Sequence, residues 1–207
     1  MIFPQKRFVD ASNGTIGLGV INRGLPEYEI ISHESGHLAV AVTLLRCVEW
    51  LSRGDLSTRK GDAGPQELTP EAQCLGHHEF DYALVPHSGD WEAEEALVLR
   101  EAQAFNTPVR VLVTTQHEGQ LPPQSTLIEV EPPALVVSAI KQSEAGNGVI
   151  ARIYNPLSHT VQATIQPGLA CTQAFVTNLN EEPTGHPQGV PLHIDVRPGE
   201  IITVLFQ

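Results

Sequence analysis

The stretch His33-Glu34-Ser35-Gly36-His37 carries a spacing with a known chemistry attached. It fits H-E-x-x-H, in which two imidazoles one helical turn apart hold zinc while the glutamate activates a water. The following Leu38-Ala39-Val40-Ala41 suits the helix such a site needs. Three features oppose that reading. Gly36 and the β-branched pair Ile30-Ile31 disfavour a helix around the motif. Glu27–Ile31 alternates like a strand, which makes Ser32–Gly36 a hairpin tip. A third ligand would have to come from downstream, where nothing singles out Glu49 or His77. A zinc hydrolase using His33, Glu34 and His37 is therefore the alternative, and a hairpin the expectation.

Other chemistry-bearing residues carry less. Asp55, Asp62, Glu67 and Glu71 could supply the paired carboxylates of glycoside chemistry, but charged loop residues more often form a solvated face. His77 and His78 are adjacent at a turn entering a strand, where neighbours point to opposite faces and cannot chelate together. His87, after Pro86, reads as a solvated or hydrogen-bonded surface histidine. No G-x-S-x-G elbow is present. Gly17-Leu18-Gly19 lacks the third glycine and the following helix of a phosphate loop.

The elements that must hold these residues are mostly strands. Gly and Pro total 33, scattered between short β-branched runs, as in a turn-rich β protein. Strands are expected at Ile16–Ile21, Glu27–Ile31 and Phe80–Leu84, the last stopping at Pro86, while Leu38–Trp50 reads as a strand apolar on both faces with a helix as its alternative, since Ala and Leu favour one. Further strands are expected at Val109–Thr114, Leu127–Val130, Ala134–Ile140, Val149–Tyr154, Thr160–Ile165, Leu169–Thr177, Leu192–Val196 and Ile201–Phe206. Ser52–Thr69 reads as a loop. Asp90–Phe105 is the single expected helix, with Asp90 as its cap, acidic residues near its positive end, and Val98, Ala102 and Phe105 on one face. Short strands at this spacing argue a sandwich, and alternation of strand and helix is lacking.

At 207 residues the chain can bury a core without staples. Twelve Lys+Arg against 24 Asp+Glu give a net charge of −12, which repels nucleic acid and anionic lipid. No apolar run reaches membrane-spanning length, and MIFPQKRFVDASNG lacks a signal-peptide core. Cys47, Cys74 and Cys171 lie far apart without a CxxC pair, which fits a reducing, cytoplasmic setting while leaving one disulfide open.

Several segments in order resemble the C-terminal β domain of glycoside hydrolase family 38, the α-mannosidases. The first is Gly17-Leu18-Gly19-Val20-Ile21-Asn22-Arg23-Gly24-Leu25-Pro26-Glu27-Tyr28-Glu29. Thr43-Leu44-Leu45-Arg46-Cys47-Val48 with Leu51-Ser52-Arg53 follows, then Gly64-Pro65, Thr69-Pro70 and Ala72-Gln73-Cys74-Leu75-Gly76. A longer segment runs from Phe80-Asp81-Tyr82-Ala83-Leu84 to Phe105-Asn106, and Arg197-Pro198-Gly199-Glu200-Ile201-Ile202-Thr203 resembles the closing strand.

The resemblance implies a mainly β chain, a β supersandwich of galactose-mutarotase-like type with one short helix near 91–105, spanning residues 1–207 as a single C-terminal domain or fragment. It implies that the catalytic barrel of a retaining α-mannosidase, with its nucleophile, acid/base and zinc-like divalent metal, lies outside this chain, so that Met1 falls partway into the β region. The chain alone is then expected to be inactive and to hold no metal of its own. Its partners would be the barrel, in the same enzyme or a separate subunit, and a mannose-containing glycan. By position, Arg53, Gly54 and Asp55 are the candidates for reaching the sugar's rim. A guanidinium fork and a carboxylate suit vicinal hydroxyls, and glycine allows close backbone approach. The competing account pairs Arg53 with Asp55 on the surface. A second alternative is a freestanding carbohydrate-binding module, but Trp50 and Trp91 both fall where core packing suffices. A sandwich parted from its neighbour should also self-associate through bare edges or patches.

Overall fold

The computed structural model describes residues 1–34, 36–116, 118–119 and 122–207. In chain order the first strands are β1 (Ile2–Pro4), β2 (Phe8–Ser12), β3 (Ile16–Asn22), β4 (Glu27–Ser32), β5 (Leu38–Val42) and β6 (Tyr82–Ser88). The helix α1 (Ala93–Asn106) follows. Then come β7 (Ile128–Glu131), β8 (Val136–Gln142), β9 (Val149–Tyr154), β10 (Val161–Pro167), β11 (Ala174–Thr177), β12 (Leu192–Val196) and β13 (Ile201–Phe206). The chain is mainly β, with four antiparallel sheets ordered β1-β4-β5, β2-β3-β6, β12-β10-β7 and β11-β13-β9-β8.

The two C-terminal sheets form a closed sandwich because their strands alternate with period two. Ala151, Ile153, Ile202, Val204, Phe206 and Ala174 lie on the inner face of one sheet. Val161, Ala163, Ile165, Leu192, Val196 and Ile128 answer from the other. Asn155, fully buried, ties the turn after β9: its amide donates to the carbonyls of His159 (2.7 Å) and Val196 (2.9 Å), and its oxygen accepts from Leu157 N–H.

α1 sits between this sandwich and the sheet β2-β3-β6. Val98 and Ala102 pack on Ile21, with Phe105 against them, as the helical spacing predicts. Ala96 and Leu99 join the sandwich core. Glu92 reaches across to accept from Ser158 N–H and Oγ, so the helix start is bolted to the turn after β9. The helix begins later than expected. Asp90 makes a turn ahead of it, accepting from Glu92 N–H at 3.0 Å, and does not cap it.

Other boundaries differ for identifiable reasons. β6 continues through Pro86, which pairs with Leu18 on the outer edge of its sheet, where a missing N–H is tolerated. β1 and β2, unforeseen, take short polar-apolar segments into pairing. The strand expected over Leu38–Trp50 ends at Val42, and only Trp50 is bridged again, to Leu68. Leu169–Thr177 contracts to Ala174–Thr177. Val109–Thr114 is not a strand at all. No helix among the described residues is long and apolar enough to cross a membrane.

Candidate functional site

β4 and β5 pair from Ser32↔Leu38 to Tyr28↔Val42, and His33 N–H donates to His37 O at 2.9 Å while Gly36 N–H reaches back to His33 O. His33, Glu34 and His37 thus sit at an exposed hairpin tip, as the strand-like alternation predicts; Ser35 lies outside the described residues. The helical turn that would align two imidazoles on one ion is missing, so the zinc-hydrolase reading loses its geometry. Among the described residues no three His, Cys, Asp or Glu side chains converge as metal ligands.

Arg53 and Asp55 grip each other: Nε to Oδ1 at 2.9 Å and an Nη to Oδ2 at 2.7 Å. The hydrogen bonds from Arg53 draw the Asp55 carboxyl below its usual range, and Asp55 raises the guanidinium in turn. Both side chains are at least half exposed, so the pair adds little stability. What it does is fix the orientation of the Arg53 guanidinium, which stands on one wall of a cleft of about 820 Å³ lined also by Arg46, Trp50, Arg59 and Gln73. A Cβ at Gly54 would press on Asp62 at 2.9 Å, so glycine there lets the loop fold tightly. Asp62 is engaged by Gln66 Nε2 at 2.8 Å. Trp50 lines this cleft half-buried, whereas Trp91 packs on the sandwich core.

A larger cleft, about 1140 Å³, separates the hairpin β4–β5 from the sheet β2-β3-β6. Leu18, Val20, Tyr82 and Leu84 line one wall, and Tyr28, Ile30, Val40 and Val42 the other. Tyr82 is 61% and Leu84 58% exposed, although alternation along β6 puts them on an apolar sheet face. Two apolar leaves are in place, and no described residue fills the space between their outer ends.

Behind that sheet lies a pairing that residue-by-residue reading missed. His87 Nε2 meets Asp10 Oδ1 at 2.6 Å, with only 2% and 8% of the two side chains exposed. β2 and β6 flank β3, so the two side chains must cross the central strand. Gly17 and Gly19 make that possible: a Cβ at Gly17 would collide with the His87 ring, and one at Gly19 would meet Val98 at 2.5 Å. The signal was Gly17-Leu18-Gly19 itself, glycines spaced by two on one strand face. His87 is thus a buried histidine, against expectation. Burial works against its charge, but hydrogen bonds to Asp10 and Ser88 O and the nearby Asp10 and Glu94 charges prevail, raising its pKa. The three cysteines are free.

The architecture is that of a β-sandwich domain, and known sequences narrow it further. Residues 134–204 match the glycosyl hydrolases family 38 C-terminal beta sandwich domain. A putative mannosylglycerate hydrolase from Halalkalibacterium halodurans is 36% identical over 205 residues, covering 98% of this chain and 21% of the relative. Alpha-mannosidase 2C1 from Mus musculus is 32% identical over 124 residues, covering 56% of this chain and 12% of that protein. The crystal structure of an alpha-mannosidase from Enterococcus faecalis superposes with a TM-score of 0.80 at 29% identity, covering 100% of this chain and 21% of that one. The chain belongs to glycoside hydrolase family 38, as its C-terminal β domain. It spans about a fifth of the length of the first of these relatives and of the solved chain.

Proposed function

We propose that this chain, residues 1–207 as one domain, serves a retaining α-mannosidase as a non-catalytic wall. It leans on a catalytic barrel and closes one side of a mannose site. The observation that carries this is the open apolar cleft between β4–β5 and β2-β3-β6, in a fold that its relatives embed in polypeptides several times longer. Exposed apolar faces of this extent mark surfaces made to be covered. The pre-set Arg53–Asp55 pair is the group we assign to the sugar's rim. The Arg53 N–H groups that Asp55 leaves free can donate to one hydroxyl while the remaining lone pairs of the carboxylate accept from the next, and their mutual hydrogen bonds hold both in place beforehand.

The test is a chimera in which this chain replaces the matching 205 residues of the Halalkalibacterium halodurans relative. With mannosylglycerate or an aryl α-mannoside, the chimera should turn over and the isolated chain should not. Strong turnover by the isolated chain, or none by a folded chimera, overturns the proposal. Within an active chimera, Arg53→Ala should raise KM by about tenfold, the equivalent of one lost charged hydrogen bond, with kcat less affected.

A further inference from the structure

The segment after α1 offers apolar residues in a pattern the described chain never uses. Val109 is 91%, Val111 84%, Leu112 88% and Val113 91% exposed. No backbone hydrogen bond joins Val109–Val113 to any described residue. Three valines in five positions favour extended backbone, and Pro108 stops α1 from running into them. Val109, Val111 and Val113 would share one face of a strand, and Leu112 would occupy the other beside Arg110. The valine face is the one a packed layer would cover, while Arg110 keeps the other face partly polar.

We propose that Val109–Val113 is a strand lent to a neighbour, pairing with a free sheet edge in the remainder of a family 38 polypeptide. The inference rests on the docking proposed above and names one place where it is made. Two observations select this occupant over a flat surface. Five consecutive residues whose N–H and C=O groups have no partner among the described residues leave an extended segment free to add to a sheet edge, and burying their apolar side chains there would require those groups to be paired. And the same fold recurs inside an alpha-mannosidase chain of which it makes up only 21%, so an abutting body is at hand. A second copy of this chain could offer an edge too, which the test separates.

Amide hydrogen exchange compares the isolated chain with the chimera. In the isolated chain Val109–Val113 should exchange at the rate of an open coil at every chain concentration. In the chimera they should slow at least about tenfold, a shift readily resolved for a laddered strand. Val111→Pro, which removes one donor, should abolish that slowing and reduce thermal stability of the chimera while leaving the isolated chain unchanged; Val111→Thr should preserve both. An active chimera with these amides still fast, or indifferent to Val111→Pro, overturns the inference and leaves the docking reading standing. A folded but inactive chimera with fast amides removes both. Slowing in the isolated chain that grows with its concentration means pairing between copies, and overturns the inference as well.

Discussion

At the scale of single residues, Gly17 and Gly19 matter through what they omit. The His87–Asp10 pair crosses β3 only because no side chain stands at Gly17. Gly17→Ala should push the ring off its seat and cost about 2 kcal/mol, a magnitude set by one charged hydrogen bond and measured by urea unfolding. His87→Gln, which keeps bulk but cannot be charged, separates packing from electrostatics. The folded-state pKa of His87 lies above its ordinary value, so its charge stabilises the fold fully below about pH 6.5, and that gain fades as pH rises through the higher folded value. The stability difference between wild type and His87→Gln should therefore be largest in mild acid and shrink towards alkaline pH. A difference that grew with pH would refute the assignment.

At the scale of elements, α1 opens with an irregularity. Glu94, Glu95 and Ala96 have φ of 53°, 58° and 56°, a left-handed turn before the regular helix. Ser88 clasps the Glu94 carboxylate, and Arg100 donates to Glu94 O at 3.0 Å, so the chain is drawn back over β6 before Ala96 enters the core. Left-handed backbone costs a residue with a Cβ about 1 kcal/mol. Glu95 is exposed and its side chain makes no hydrogen bond or ion pair with the described residues, so Glu95→Gly should raise unfolding stability by about that amount. Thermal denaturation would show a gain; a loss would mean the turn is set by the Glu95 side chain itself. Further along, Arg23 binds Asp81 and Phe105 O at 2.6 Å each and covers the Phe105 ring, joining the turn after β3 to the helix end.

At the scale of the molecule, a sealed half and an open half share one chain. The C-terminal sandwich excludes water from Phe206, Ile153 and Ile165. The N-terminal sheets leave Ile16, Leu38, Tyr82 and Leu84 half or more exposed around their cleft. The isolated chain should therefore associate with itself at raised concentration, and Leu84→Asp should suppress this while leaving the sandwich core untouched. Sedimentation of the two proteins checks it: a wild-type chain that stays monomeric at high concentration would mean the open half is self-sufficient.

Local pattern carried much of this to the reader of the bare sequence. Alternation along β9, β12 and β13, the apolar face of α1 and the strand-like run before His33 determine their elements, because period and burial are properties of a few neighbouring residues. The resemblance of ordered segments located the family for the same reason. What only the tertiary structure decided are the pairings between residues far apart in the chain: Asp10 with His87 across a glycine strand, Pro86 admitted to an edge, and a valine-rich run denied a partner. Each depends on which strand lies beside which, and strand neighbours are set by packing over distances that no local period records.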